Sequence, residues 1–345
     1  MAIKIHFSST SDAGTPCMLA WAAAFVSAEE QAQRFAARRT VHFGRELARG
    51  FLEDWTAVSR PEDAQIIVHG LEYTGDDSCR QTARLASELG KPCLFFGENE
   101  DLPPSQLTYG FLYRHSIFEQ QPNERSMPVF INDVKSEIRS QAALPIDWMV
   151  EPKVGFCGYV GSGVSRAIYR LAGATRKVEG LAIRSRILRS LRRDGAVNCA
   201  FIERSSYLGS ATLAAFDRRH RLASARKEFL ENLFDCPYNI CVRGKGNHSV
   251  RFYETLAAGR IPLFVNTGCV LPLASEIDWR QHALWIEECE IPRIGELARL
   301  QHGAIGPERF AAMQRANREL WERYLRPLPF FRHVLSVAAN EGRAP

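Results

Sequence analysis

Along the first half of the chain, short apolar runs alternate with stretches of helical periodicity. IKIHFSS (3–9), AQIIVHG (64–70) and KPCLFFG (91–97) are rich in β-branched or aromatic residues, and each predicts a strand. TYGFLYRHS (108–116) predicts another. Helical patterns fill roughly 19–52 and 77–89. This β–α–β rhythm predicts a parallel sheet flanked by helices. After LPIDWMVEPK (144–153), which carries two prolines, the pattern restarts. KVGFCGYVGSG (153–163) predicts a strand entering a glycine loop. Helices follow at 165–173 and 180–193, then the strand VNCAFIE (197–203) and a helix at 222–234. YNICV (238–242), a helix at 249–258, IPLFV (261–265) and HALWIE (282–287) continue the alternation. A last helical pattern runs from Pro307 to about Arg326, with fraying expected after Ala339. The expectation is an α/β protein of two domains, 1–150 and 151–345, facing each other across a cleft. The helix at about 307–326 is expected to return to the first domain.

Composition narrows the class. At 46% apolar and 24% charged residues the chain is neither disordered nor fibrous. Its net charge of +5 divides unevenly: residues 1–150 carry −6 and residues 151–345 carry +11. An anionic ligand is therefore expected on the second half. Nine scattered cysteines form no CxxC pair, which argues against a disulfide framework or zinc site and for a reducing compartment. MAIKIHFSS reads as a first strand rather than a secretory leader. The expected location is the cytoplasm, with peripheral contact at the inner face of a membrane left open by two segments. CMLAWAAAFVSA (17–28), at about 12 residues, is short of the roughly 20 that span a bilayer; it is a buried core helix or one that dips into a membrane surface. RKVEGLAIRSRILRSLRR (176–193) has apolar residues at 183, 187, 188 and 191 among arginines. It is a solvated outer helix or a helix lying on anionic lipid. Without interleaved aromatics it does not read as a nucleic-acid binder.

The densest chemistry lies in CVRGKGNHSVRFYETLAAGRIPLFVNT, from Cys241 to Thr267. A strand hands over to a glycine-rich loop and then to a helix that Ser249 or Asn247 can cap and Gly259 can end. The helix start offers N–H groups and a positive dipole end, and Arg243, Lys245 and Arg251 add formal charge. The spacing is that of an anion site beyond the carboxyl end of a parallel strand. Glu254 follows Arg251 on the same helical face and suits the paired hydroxyls of a ribose. The stretch is neither a Walker loop nor GxGxxG. A glycine-rich surface loop with solvated charges is the competing reading.

The same stretch resembles the core motif of exostosin-like glycosyltransferases, family 47. Arg243-Gly244, Ser249, Arg251 with Glu254, Ala258-Gly259, Ile261-Pro262, Leu271-Pro272 and Ile277-Asp278-Trp279 match it in order. FCGYVGSGVSRAIYRL (156–171) is similar to the family's opening strand, glycine loop and arginine helix. The resemblance covers about 155–290. It implies a GT-B fold with two Rossmann-like domains, and a nucleotide-sugar co-substrate, UDP-linked before GDP-linked, on the second. It implies donor contacts from Gly158, Tyr159, Gly161, Arg204, Arg243, Gly244, Lys245, Asn247, Ser249, Arg251 and Glu254. It also implies inversion at the anomeric carbon with no obligatory metal, and the sequence holds no DxD at a strand end. Asp76-Asp77 sits in a polar turn. The chain is short beside the animal exostosins, which directs expectation to a saccharide or lipid-linked glycan acceptor in bacterial surface polysaccharide synthesis.

An inverting transfer needs a general base. Glu98 and Asp101 in GENED (97–101) and Asp12 after the first strand are the candidates, each equally readable as a solvated loop carboxylate. Arg204 reaches the phosphates or sits in an exposed turn; Tyr159 stacks on a base or covers the core. His6 and His69 fall inside strand patterns and read as structural. A non-catalytic glycan- or nucleotide-binding protein of the same fold is the alternative.

Overall fold

The computed structural model describes residues 2–8, 14–27, 40–138, 145–204 and 215–341. The chain forms two compact units. One comprises Met1–Phe130, Val270–Ile277 and Arg323–Pro345; the other comprises Ile131–Cys269 and Asp278–Glu322.

The first unit carries β1 (Ile3–Ser8), α1 (Met18–Ser27), α2 (Thr40–Glu53), β2 (Trp55–Ala57), β3 (Ile66–Glu72), α3 (Asp77–Glu88), β4 (Cys93–Gly97), β5 (Phe111–Arg114) and β6 (Glu124–Ser126). All six strands run parallel in the order β2-β1-β3-β4-β5-β6. β4 is buried along its whole length, as parallel strands covered on both faces are. Met18, Leu19 and Ala22 of α1 are buried, so these residues of the most apolar stretch belong to the core. No helix among the described residues is long and apolar enough to cross a membrane. Asp76 caps α3, its carboxylate accepting from the Ser78 and Cys79 N–H groups; a bond from the Ser78 hydroxyl, with smaller contributions from Thr74 and these N–H groups, holds its pKa below the usual range. His69 is a satisfied core histidine: Nδ1 lies 3.0 Å from the Thr82 hydroxyl.

The second unit carries β7 (Lys153–Tyr159), α4 (Gly163–Leu171), α5 (Thr175–Arg193), β8 (Asn198–Arg204), α6 (Ala215–Asp235), β9 (Tyr238–Cys241), α7 (Val250–Ala257), β10 (Ile261–Asn266), β11 (Leu284–Glu287) and α8 (Ile294–Leu320). Its five strands are again parallel, in the order β8-β7-β9-β10-β11. The apolar side chains of β7, β9 and β10 pack with Ile183, Ile187, Leu188 and Leu191 of α5 in one core. The four apolar positions of the basic segment are thus all interior, which leaves α5 a polar outer face.

The division of the chain differs from a break near 150. Residues 131–138 and 145–150 are fastened to the second unit. Asp133 accepts two bonds from Arg318 at 2.7 Å, Gln314 bonds both backbone groups of Ile146, and Trp148 stacks on His302 with centroids 5.1 Å apart. The composition shift at 144–153 therefore lies within one packed body. The late helices differ as well. α8 starts at Ile294 and is broken at Gly306, whose φ of 67° is non-helical, so Pro307 opens its second stretch. The segment grouped with the first unit is 323–345, with α9 (Pro327–Glu341) burying Phe330, Phe331, Val334, Leu335 and Ala338.

Candidate functional site

In the second unit the strand order reverses between β7 and β9. β7 is followed on one side by β8 and β9 on the other by β10. Crossovers leave such a sheet on opposite faces at this point, which opens a crevice beyond the carboxyl ends of the two strands. The two glycine-bearing segments singled out in the sequence are the loops that leave these strands. Gly158, Tyr159 and Gly161 belong to the end of β7 and its loop; Arg243 to Ser249 follow β9. Gly161 has φ +71°, and a Cβ there would lie 3.1 Å from Leu181 Cδ1. Ser162 then caps α4 in a reciprocal pair with Ser165.

The loop after β9 is held from three sides. Asn247 is buried; its amide donates to the carbonyls of Thr267 and Gly268 at 3.3 and 3.1 Å, and its Oδ1 accepts from the Thr267 hydroxyl at 2.8 Å. These bonds occupy one of the two side chains expected to cap α7. Ser249, the other, takes the N-cap position without a side-chain bond to the helix. Gly259 ends α7 with φ +67°, as its position suggested. On the second side α5 presses on the loop through Gly180, where a Cβ would lie 2.2 Å from the Gly244 carbonyl oxygen. Only glycine permits this approach.

The third hold is Arg251. Its guanidinium donates to the carbonyls of Cys157 at 2.7 Å and Ile240 at 3.3 Å and lies 4.5 Å over the Phe156 ring. It ties the ends of β7 and β9 together from within. Burial lowers its pKa, and its Nε is buried without a hydrogen-bond partner among the described residues. A Cβ on Gly158 would lie 2.8 Å from Arg251 Nη2, so this glycine makes room for the arginine. Arg243 is buried and bonds Glu179 of α5 at 3.0 Å. Lys245 is exposed. The Tyr159 side chain is buried, and its carbonyl accepts from Arg184 at 3.2 Å. Arg204, at the end of β8, bonds Glu228 at 3.1 and 2.5 Å and the Ala225 carbonyl at 2.7 Å.

Glu254 is buried and accepts a bond from Arg226 of α6, which also grips Glu137 with two bonds at 2.9 and 2.7 Å. One guanidinium thus serves two carboxylates. Sequence reasoning missed Arg226, Glu179 and Gly180. Each acts on a partner between 28 and 89 residues away, and nothing local marks them; the φ of Gly180 is ordinary, so no turn announces it.

In the first unit, Glu98 directly follows β4 and is half-buried. Burial, with the charge of Glu72 at the end of β3 as a second cause, pushes its pKa up to about 7. Asp101 is exposed in a turn where its N–H donates to Asn99 Oδ1 at 2.9 Å. Asp12 lies outside the described residues. The residues expected to contact a donor are therefore gathered on the second unit, and Glu98 and Asp101 belong to the first. Among the described residues no group of three or more His, Cys, Asp or Glu side chains could hold a metal ion.

No protein-family model matches the chain. Part of it is similar to Exostosin-1 of Drosophila melanogaster, 39% identical over 99 residues, which are 29% of this chain and 12% of the fly protein. The Exostosin-1 homolog of Caenorhabditis elegans is 28% identical over 113 residues, 32% of this chain and 28% of that protein. The matches thus span 12% and 28% of these two relatives. Among solved structures, S. aureus TarM overlays with a TM-score of 0.35 at 10% identity, over 72% of this chain and 55% of its own, in a complex with Fondaparinux, alpha-GlcNAc-glycerol and UDP. The glycosyltransferase VinC with DTDP overlays at 0.29 and 12% identity, over 94% of this chain and 80% of its own. These overlays are loose. The firmer finding is a stretch of about a third of the chain that is similar to exostosin-1 proteins.

Proposed function

We propose that the protein is a glycosyltransferase that takes a sugar from a nucleotide-sugar, UDP-linked in the first instance and GDP-linked next, and passes it to a saccharide acceptor with inversion. The observation that carries this reading is the meeting of the β7 and β9 loops at the reversal point of the second sheet. The partial similarity to exostosin-1 proteins supports it.

The diphosphate would lie along the backbone of residues 243–249 and the loop at Gly161, with Arg243 and Lys245 as direct counter-charges. Arg251 acts from beneath, adding charge and fixing the two loops at one separation. As the sugar–oxygen bond breaks, negative charge collects on the leaving phosphate. Donors already fixed in place stabilise that charge without reorganising. The side chains here take the part a metal ion plays in other transferases. Glu254, oriented by Arg226, holds the ribose hydroxyls. Glu98 removes the acceptor proton, since a carboxylate with a pKa of about 7 is a strong enough base to do so near neutrality. Asp101 and Asp12 are the weaker candidates for this step. The acceptor class proposed is a growing or lipid-linked surface glycan.

A thermal-shift panel of UDP, GDP, CMP and dTDP tests the reading. A nucleotide present at 100 times its Kd stabilises by about 2.7 kcal/mol. Stabilisation by one of them, lost in Arg243→Ala, is expected; no shift with any would refute the donor site.

A further inference from the structure

The arginines of α5 have a use that the donor site does not account for. With Ile183, Ile187, Leu188 and Leu191 turned into the core, Arg186, Arg189 and Arg193 follow one another at i, i+3 and i+7. Facing them are the short helical turn Glu288–Arg293 and the first residues of α8. Between the two walls is a cleft of about 390 Å³, which these three arginines line together with Arg293, Asp194 and Glu296. The walls are joined. The Ser190 hydroxyl donates to the Pro292 carbonyl at 3.0 Å, and Gly295 sits so close that a Cβ would lie 2.4 Å from Asp194 Cβ.

Most charges here are matched. Arg186 pairs with Glu288 at 2.9 Å, Arg293 with Glu296 at 2.9 and 2.8 Å, and Asp194 with Arg299 at 3.1 Å. Among the described residues the guanidiniums of Arg189 and Arg193 have neither an ion-pair nor a hydrogen-bond partner. They stand at i and i+4, with Cβ atoms about 6 Å apart. Arginines at a helix end ordinarily complement its dipole. Arg192 does this while pairing with Glu203 of β8. A dipole does not explain a row that follows one face for two turns and lines a concavity.

We infer that this cleft is a second anion site, which takes a phosphate-type dianion from solution, either a phosphate monoester or a pyrophosphate. Two uncompensated guanidiniums match its charge, and their planar forks match its oxygens. The volume is that of a small-molecule site. The concave form, and the lack of an exposed apolar stripe on α5, favour a soluble ligand over a lipid surface. The site is distinct from the donor loops: α5 meets Gly244 at Gly180, and Arg189 lies on the order of 13 Å further along the axis.

Hydrogen–deuterium exchange with inorganic pyrophosphate at constant ionic strength tests this by location. Protection of amides in 186–196 and 288–296 is expected, with its midpoint raised about tenfold or more in Arg189→Gln/Arg193→Gln. Arg309→Gln, exposed on α8, should leave it unchanged. Both variants alter only exposed side chains, and a thermal melt confirms that each folds. Protection confined to 243–251 would belong to the donor site and would overturn the second site. Equal protection in the double variant would overturn it too. Co-sedimentation with phosphatidic acid vesicles that pyrophosphate fails to reverse would overturn the assignment to a soluble ligand.

Discussion

Gly180→Ala is the sharpest single test of how the proposed donor loop is held. The new Cβ would lie 2.2 Å from the Gly244 oxygen and 2.9 Å from its carbonyl carbon. Both are backbone atoms, so no side chain can swing aside. Reaching ordinary contact requires α5 and the loop to separate by about 1 Å. Such overpacking costs about 1–3 kcal/mol. Alanine returns about 0.5–1 kcal/mol of helix propensity. The net loss of stability is then roughly 0–2.5 kcal/mol, a melting-point fall of a few degrees for a body of this size. The effect on turnover should be far larger, because a displacement of about 1 Å in a positioning element costs on the order of 10²-fold. Gly303→Ala is the matched control. It also lies inside a helix, but a Cβ there meets nothing within 4 Å, so it should gain about 0.5–1 kcal/mol and leave nucleotide binding alone. Calorimetric nucleotide titration beside thermal melts of both variants separates the effects. If Gly180→Ala binds nucleotide as tightly as Gly303→Ala, the Gly244 loop is not part of the site.

Three further outcomes follow. Glu98 has a folded pKa of about 7, above its unfolded value, so the native state binds the extra proton and wild-type stability declines as pH rises from the ordinary carboxyl range through 7. Glu98→Gln should therefore melt higher than wild type above pH 7, with the gap closing near pH 4, and should abolish the rise of kcat/KM through pH 7; an unchanged pH profile removes it as the base. Glu254→Gln should weaken nucleotide binding by about 1.5–3 kcal/mol, read by titration calorimetry, and equal affinity would take Glu254 out of the site. Turnover should persist in EDTA; loss in chelator with recovery on adding Mn²⁺ or Mg²⁺ would contradict a mechanism built on side chains alone.

Much of the fold was legible because parallel strands bury both faces and so appear as short apolar runs closed by glycine or charge. β1, β3, β4, β5 and β7 to β11 each fall on such a run. β2 and β6 did not, because three-residue edge strands are too short to show a period. The stripe at 183, 187, 188 and 191 marked α5 correctly, but periodicity does not say what covers a stripe; the sheet does. α9 was not among the expected helices; it opens on Pro327 and carries Pro329 in its first turn, where proline is tolerated. In the site, the two loops could be read because glycine and arginine cluster in them. Strand order could not, and it is the order β8-β7-β9 that brings the loops together. From its neighbours in sequence Arg251 was expected to face a bound anion directly. Its bonds to Cys157 and Ile240 arise only when two strands distant in sequence lie side by side.

The central claim is that a nucleoside diphosphate rests on the loops after β7 and β9. A crystal structure with the nucleotide chosen by the thermal panel tests it directly. The account predicts phosphate oxygens about 2.7–3.2 Å from backbone N–H groups of residues 243–249, with Arg243 turned from Glu179 toward the phosphates. A nucleotide bound away from the carboxyl ends of β7 and β9, with the Arg243–Glu179 pair undisturbed, would contradict it.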